Sequence, residues 1–485
     1  MSWTVLRDLP GWWAYAAGVV VLAFNLAATG HVLINKRDVR AAISWTGVIW
    51  LVPVIGSVLY AMLGLNRIRR RAAELQRARR KMSLSTPHDT AIARVGTERS
   101  VPVAFEPMAK LGETMSGRPL LTGNTVTPLH NGDEAYPAML AAIDAAQSSV
   151  ALSSYIFGDD AAGRPFIEAL GRAVSRGVAV RVLVDGVGAR YTWPPVVQAL
   201  RKVGVRAELF LPRVRDAGLG FFNLRTHRKV LTTDGRIAFC GGLNIQARNI
   251  HRDDPPRKVR DLHFRLEGPI VGQLQEVFAE DWEFMTREVL DGPAWFPTLV
   301  PTGASTARTY TDGPDGDLEI LRTVLLGALG TARESIRIVT PYFLPDQGLI
   351  SALTVAALRG VRVDIVLPAK VNIPLVQWAA TAQLWQVLRP GCRVFLSPRP
   401  FDHTKLMVVD RTWTLFGSSN WDPRSLRLNF ELDVECYDAT LAERLDEEVR
   451  MRIASATELT LEDVDSRPGW KKLGHGLARL LSPYL

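Results

Sequence analysis

The stretch His403–Asn420, HTKLMVVDRTWTLFGSSN, puts an imidazole, an ammonium group and an amide into one short candidate hairpin. It has a counterpart. His227–Asn244, HRKVLTTDGRIAFCGGLN, repeats the frame His-x-Lys, four residues, Asp, six residues, Gly-Gly/Ser-x-Asn without a gap. A His and a Lys two residues apart project from one face of a strand. Asp234-Gly235 then reads as a tight turn, with residue 233 opposite 236, Lys229 opposite Cys240 and His227 opposite Gly242. A turn at Asp410-Arg411 sets His403 opposite Ser418 in the same way. In that register Asn244 and Asn420 return to the His-Lys face beside the small residues Gly242 and Ser418. A slip of one residue turns both Asn away. An acid or base, a fixed cation, an amide donor and open space together suit a phosphate.

The doubled frame resembles the phospholipase D superfamily, whose members join two such halves into one active site and use one His as nucleophile through a phosphohistidine. The resemblance implies a catalytic set of His227, Lys229, Asp234, His403, Lys405 and Asp410, and substrate contacts from Asn244, Asn420, Gly242 and Ser418. For Asp234 and Asp410 a structural role is expected, because a carboxylate at a hairpin turn caps backbone N–H groups. A β-rich run with an acidic residue follows each hairpin: Asp261 in RDLHFRL and Glu431 in NFELDVE. The superfamily has a carboxylate that accepts from the non-reacting ring nitrogen and fixes the His tautomer, and these two are its candidates.

Outward from the frames, the N-terminus is the most informative region. Gly11–Ile34 carries no Asp, Glu, Lys or Arg, and at about 1.5 Å per residue it can cross a hydrocarbon core of about 30 Å. Ala41–Leu65 is a second apolar run, with Pro53 and Gly56, which membrane helices tolerate. Two transmembrane helices are expected rather than a signal peptide, which is shorter and has no second span behind it. The loop Asn35–Arg40 holds Lys36, Arg37 and Arg40, whereas Arg67, Arg69, Arg70, Arg71, Arg77, Arg79, Arg80 and Lys81 follow the second run. The heavier cluster is expected to stay cytoplasmic, with the N-terminus and everything after residue 66 on that side.

Composition agrees with a membrane-associated chain that has an anionic partner. Of 485 residues 47% are hydrophobic, and the mean hydropathy of +0.06 is high for a purely soluble protein. Lys and Arg number 58 against 49 Asp and Glu, a net charge of +9 that suits nucleic acid or anionic lipid. Cys240, Cys392 and Cys436 are odd in number and far apart, against a disulfide framework or a zinc site and consistent with a reducing compartment. Gly186-Val187-Gly188 lacks the third glycine of a dinucleotide fingerprint, and there is no P-loop or HExxH, so neither nucleotide hydrolysis nor a metal or other cofactor is implied.

The repeat extends to whole elements. Asn131–Phe157 corresponds to Asp315–Phe343, and Phe166–Gly188 to Leu349–Lys370. Each half is strand-helix-strand-helix material leading into its hairpin, so the expected fold is α/β: two tandem phospholipase D-like halves, mixed sheets flanked by helices, after a transmembrane hairpin. The expected divisions are 1–66 for the membrane helices, 67–118 for a basic segment and linker, 119–300 and 301–455 for the two halves, and 456–485 for an amphipathic tail. Thr302–Gly316 is expected to be the seam between the halves.

Within the superfamily the chain is similar to bacterial cardiolipin synthases of the two-transmembrane type. LVPVIGSVLYAMLG, LSSYIFGDDAAG, RGVAVRVLVDGVGA, NLRTHRKVLTTDGRIAFCGGLNI, VTPYFLPD, FDHTKLMVVDRTWTLFGSSNWDPRSLRLNFELDVE and LARLLSPYL carry the likeness. In the wider superfamily Ser often stands at the place of Gly242, whereas Gly-Gly fits this subfamily. The resemblance implies an enzyme of the inner membrane, its catalytic part cytoplasmic, that joins two phosphatidylglycerol molecules and releases glycerol. His227 is expected as nucleophile and His403 as acid and then base. Ala217–Phe222 and Pro374–Leu388, with Trp378 and Trp385, are candidate lipid-feeding stretches, and Trp470–Leu485 could lie on the membrane. A membrane-tethered phosphodiesterase or nuclease is the alternative enzyme. It calls for a basic, aromatic-lined groove that tracks a strand, whereas the basic charge here gathers beside the apolar runs. A non-enzymatic membrane scaffold is opposed by two complete frames.

Overall fold

The computed structural model describes residues 12–36, 39–61, 101–192, 195–211, 224–252, 257–313 and 319–482. The chain divides into Met1–Arg71 and Ala72–Leu485. In the first unit the apolar run folds as one helix, Trp12–Asn35, of which Tyr15–Asn35 is the one segment among the described residues long and apolar enough to cross a membrane. The second run does not form a continuous span. It gives helices Val39–Leu51 and Ile55–Leu59, parted at Pro53, which has no N–H to donate, and at Val54, whose φ is 70°. These helices are tied to the long one by polar contacts within an apolar surface: Ser57 Oγ donates to Asn25 Oδ1 at 2.7 Å, and His31 Nδ1 lies 2.8 Å from the Tyr60 hydroxyl. The basic run Arg67–Lys81 lies outside the described residues.

The second unit is built on one continuous mixed sheet of 16 strands. At its centre Leu121–His130 and Ser305–Asp312 pair antiparallel, and the two halves spread outward from that pair. In the first half Ser149–Ser154 runs parallel to Ala179–Asp185 and antiparallel to the first arm of its hairpin, Val230–Thr233. Ser335–Val339, Arg362–Pro368 and Leu406–Val409 repeat that arrangement in the second half.

Strand periodicity divides the side chains between two helical layers. Val150, Leu152, Val180 and Val182 pack with Tyr136, Phe166 and Leu170 from the helices Asn131–Ala145 and Gly163–Ser175. Ala151 and Leu183, on the opposite face, pack into a core shared with Phe278 and Trp282 of helix Ile270–Thr286 and Leu445 and Val449 of helix Ala439–Ala454. That core draws on both halves.

Two expected boundaries move. Thr302–Gly316 is not a loose seam, because Ser305–Asp312, with Thr306, Thr309, Tyr310 and Thr311, is a buried central strand. The linker expected up to residue 118 ends earlier: Phe105 and Met108 are buried with Tyr310, Leu321 and Val324 in the second half's core.

Candidate active site

Both hairpins have a three-residue loop, so the register differs by one from a tight two-residue turn. Thr233 pairs with Ile237 and Val409 with Trp413. Asp234 and Gly235, and likewise Asp410 and Arg411, have positive φ, and Arg236 and Thr412 supply the extra residue. The slip does not expel the Asn residues, because the ladders end at Gly241 and Gly417 before reaching them. The chain then crosses to neighbouring strand ends, where Ile245 bridges Phe157 and Trp421 bridges Phe343. Asn244 and Asn420 therefore line one cavity with His227 and His403. The Asn244 side chain accepts from Ile156 N at 3.1 Å, and Asn420 Nδ2 donates to Ser425 Oγ at 3.2 Å.

The two His-x-Lys segments lie just before the hairpin strands, and each is held against the opposite half. Arg225–Thr226 runs parallel to Asn429–Phe430, and His227 N donates to Phe430 O at 2.8 Å. Phe401–Asp402 runs parallel to Val259–Arg260, and His403 N donates to Arg260 O at 2.7 Å. The next residue on each receiving strand is an acid. Glu431 Oε2 lies 3.0 Å from His227 Nδ1, and Asp261 Oδ2 lies 2.8 Å from His403 Nδ1. An ionised carboxylate can only accept, as can the Ser418 carbonyl 3.0 Å from His227 Nδ1, so Nδ1 carries the proton and Nε2 keeps its lone pair for chemistry. The two rings face each other at 6.4 Å between centroids, 80° apart in plane.

The difference between Gly242 and Ser418 now has a physical reason. A Cβ at Gly242 would sit 2.2 Å from Asp261 Oδ1, so glycine is needed for that carboxylate to approach. Ser418 instead donates from Oγ to Glu431 Oε2 at 2.5 Å, and Asn429 Nδ2 donates to Oε1 at 3.0 Å. Sequence reading missed Asn429, which the two-residue strand period from Glu431 could have revealed. It also missed Tyr155, whose ring packs edge-on to His227 at 5.1 Å and lies 5.5 Å from Lys229 Nζ. Arg228 points away between the two site residues, paired with Asp281 Oδ1 at 2.6 Å and donating from Nε to Glu431 O at 3.0 Å. It fixes the backbone of the strand that bears the acid.

Burial governs the electrostatics. It lowers His227 to about 4 and pushes His403 well below the ordinary imidazole range, with Lys405, Lys229 and His227 adding repulsion at His403. Lys229 and Lys405, each donating to the carbonyl of its own half's His at 2.5 Å, fall to about 7 and about 8, also through burial. The acids differ. Burial raises Asp261 to about 7, whereas at Glu431 burial is outweighed by His227, Lys229 and Ser418, which hold it below the usual carboxylate range. An anion bound beside the two imidazoles would offset the repulsion from Lys405 and Lys229 and raise the pKa of His403. Anion binding should therefore take up protons at pH values between the lowered and the raised pKa. Vanadate titrated calorimetrically in buffers of different ionisation enthalpy should show that uptake, and proton release on binding would contradict the assignment.

Asp234 and Asp410 lie at the far end of their hairpins. Asp234 accepts from the backbone N–H of Gln147, Ser148 and Ser149, the shortest at 2.6 Å, and Asp410 from Arg333, Glu334 and Ser335, each at 2.8 Å. Asp410→Ala should cost on the order of 1–3 kcal/mol in chemical denaturation through the orphaned donors. Turnover by the remaining folded protein should change less than fivefold; a large loss of turnover at unchanged stability would contradict this role.

The cavity holds about 1050 Å³, and Tyr155, Tyr191, Tyr342 and Phe401 are among its lining. Among the described residues its lining includes Arg225, Arg248, Arg257, Lys258, Lys370, Arg399 and Arg424 against one acid, Asp422, which suits a large anionic substrate. Val371, Ile373 and Val376 add an apolar wall at the start of helix Pro374–Thr381. Of the candidate feeding stretches, Ala217–Phe222 lies outside the described residues, while Trp378 and Trp385 are partly exposed beside that wall.

Comparison with known proteins follows this geometry. A family profile described as cardiolipin synthase, PLD-like domain, matches residues 139–282 and 325–453, and one described as phospholipase D-nuclease N-terminal matches residues 23–64. Cardiolipin synthase A of Pseudomonas putida is 30% identical over 481 residues, covering 98% of each chain. The major cardiolipin synthase of Bacillus subtilis is 30% identical over 93% of this chain and 95% of its own. In structure, a phosphatidylserine synthase of Haemophilus influenzae superposes with a TM-score of 0.61 at 15% identity, over 78% of this chain and all of the other, which shows a shared fold.

Proposed function

The chain belongs to the cardiolipin synthase family of phospholipase D-like proteins, and on that premise we propose that it makes cardiolipin by phosphatidyl transfer between two phosphatidylglycerol molecules. The observation that carries this reading is the pair of imidazoles set against each other in one basic cavity, each with a carboxylate at its Nδ1. His227 Nε2 attacks phosphorus of the first lipid. His403, protonated when the phosphodiester enters, gives its proton to the departing glycerol oxygen. Lys229, Lys405, Asn244 and Asn420 carry the charge that builds on the phosphoryl oxygens. In the second step His403 takes the proton of a glycerol hydroxyl on the second lipid, the new O–P bond forms, and the Nε2–P bond of His227 breaks. The choice of His227 as nucleophile is supported by Glu431, whose ionised carboxylate faces the ring that bears positive charge in the phosphohistidine.

The test is purified protein in vesicles whose only phospholipid is phosphatidylglycerol. Cardiolipin and free glycerol should appear in equal amounts. Phosphatidic acid as the main product would make the chain a phosphodiesterase, and no turnover at all would sink the reading.

Association with a membrane is supported by the long apolar helix and by helix Gly469–Leu480, which leaves Trp470, Leu473, Leu477 and Leu480 exposed along one side beside Lys471 and Lys472. From the basic run after residue 66 we infer that the catalytic part is cytoplasmic and that the segment Asn35–Arg40 faces the other side. A cysteine at Asp38 should react with an impermeant thiol reagent in intact cells, and one at Arg80 should not. The opposite pattern would reverse the topology.

A further inference from the structure

Resting on the phosphatidyl transfer proposed above, we propose that Arg248, Arg257, Lys370 and Arg399 form a subsite for the intact phosphodiester of the acceptor lipid, on the His403 side of the cavity. The reaction brings two anions together. One is the phosphoryl group under attack, which belongs between the two imidazoles and the two lysines. The other is the acceptor's own phosphodiester, three carbons from the hydroxyl that attacks, and it needs separate compensation.

The fold shows where that second charge falls. Displacement at phosphorus is in line, so the acceptor hydroxyl enters opposite His227, beside His403. His403 follows the parallel pair Phe401–Asp402 and Val259–Arg260, and cations precede both of those strands: Arg399 the first, Arg257 and Lys258 the second. Arg248 and Lys370 line the same cavity. Among the described residues Arg248, Arg257, Lys370 and Arg399 have no carboxylate partner, and all four are exposed. Uncompensated like charges repel one another, so an anion seated among them is favoured.

The His227 side is built differently. Arg225, which stands two residues before His227 as Phe401 stands before His403, donates to the Tyr155 hydroxyl at 3.1 Å. Arg424, four residues after Asn420 as Arg248 is after Asn244, shares its surroundings with Asp422. Among the described residues, the exposed lining cations without a carboxylate partner thus gather where the acceptor must enter, whereas Arg225 and Arg424 are half-buried. Held there, the second lipid outcompetes water for the phosphohistidine; its hydroxyl proton passes to His403 Nε2 and its own phosphodiester bonds are untouched.

The experiment uses the full chain in phosphatidylglycerol vesicles with labelled free glycerol, a neutral acceptor that returns the phosphatidyl group to phosphatidylglycerol. In Arg257→Gln/Arg399→Gln, cardiolipin formation should fall at least tenfold while incorporation of labelled glycerol stays within twofold of the unaltered protein. Arg257→Lys/Arg399→Lys should restore cardiolipin formation. Equal loss in both reactions would overturn the subsite, since the cations would then be attracting vesicles or serving the donor. No change in either would overturn it too. If the unaltered protein made neither product, phosphatidyl transfer itself would be refuted.

Discussion

His227→Ala should form no covalent adduct with any phosphatidyl donor, and its cardiolipin synthesis should fall on the order of 10⁴-fold or more, because the attacking atom is gone. His403→Ala separates the two roles. With an activated donor whose leaving alcohol needs no protonation, it should still take up one phosphatidyl group and then turn over slowly. The burial of both rings, their facing geometry and the proton on each Nδ1 are nearly symmetric, so overall activity loss alone cannot assign them. Intact mass after brief exposure, under conditions that preserve acid-labile phosphohistidine, does. An adduct on His403 in the His227→Ala protein would reverse the assignment and leave the two-step chemistry in place.

Glu431→Gln and Asp261→Asn should each lower kcat by roughly 10²–10⁴-fold with KM within a few-fold, by analogy with the loss of an orienting carboxylate behind a catalytic imidazole. Each acid serves the histidine of the other half, so their signatures should differ. With the activated donor, Glu431→Gln should slow adduct formation, because the imidazolium character developing at His227 loses its counter-charge. Asp261→Asn should leave that step within a few-fold and slow breakdown of the adduct, where His403 acts as base. If each acid served the histidine of its own half, the two signatures would be exchanged. Folding is a poor explanation for such a split, since both variants keep their size and both acids are equally buried.

How far the sequence carried the argument depended on whether the constraint was local. The two frames, their shared phosphate-binding residue types and the strand-helix repeat are set by spacing along the chain, and they describe the halves well. The hairpin register differs by one in both halves because a third loop residue, Arg236 or Thr412, joins the positive-φ pair before it, and neither residue type marks a turn in the sequence. Ser305–Asp312 was hidden among Gly, Pro and Asp residues, although its Thr and Tyr content is that of a strand. The pairing of acids with histidines was beyond reach for another reason: Glu431 lies 204 residues from His227, and nothing in either half names its partner. The need for Gly242 was similarly invisible, since the carboxylate that forbids a side chain there arrives from a neighbouring strand.

The crossing of Glu431 and Asp261 also bears on how such a chain can come apart or be assembled. A single half, cut anywhere between residues 286 and 305, would keep its hairpin, its lysine and its histidine, and yet lack the acid behind that ring. Neither fragment should behave as a weaker version of the whole: each is expected to be inert alone, with activity returning when the two are combined. A tandem repeat wired in this way has the logic of an obligate dimer whose subunits were later fused, and the tether removes the concentration dependence without removing the mutual dependence. It follows that damage in one half is read out at the other half's histidine, so genetic suppressors of an Asp261 lesion belong around His403, on the far side of the duplication.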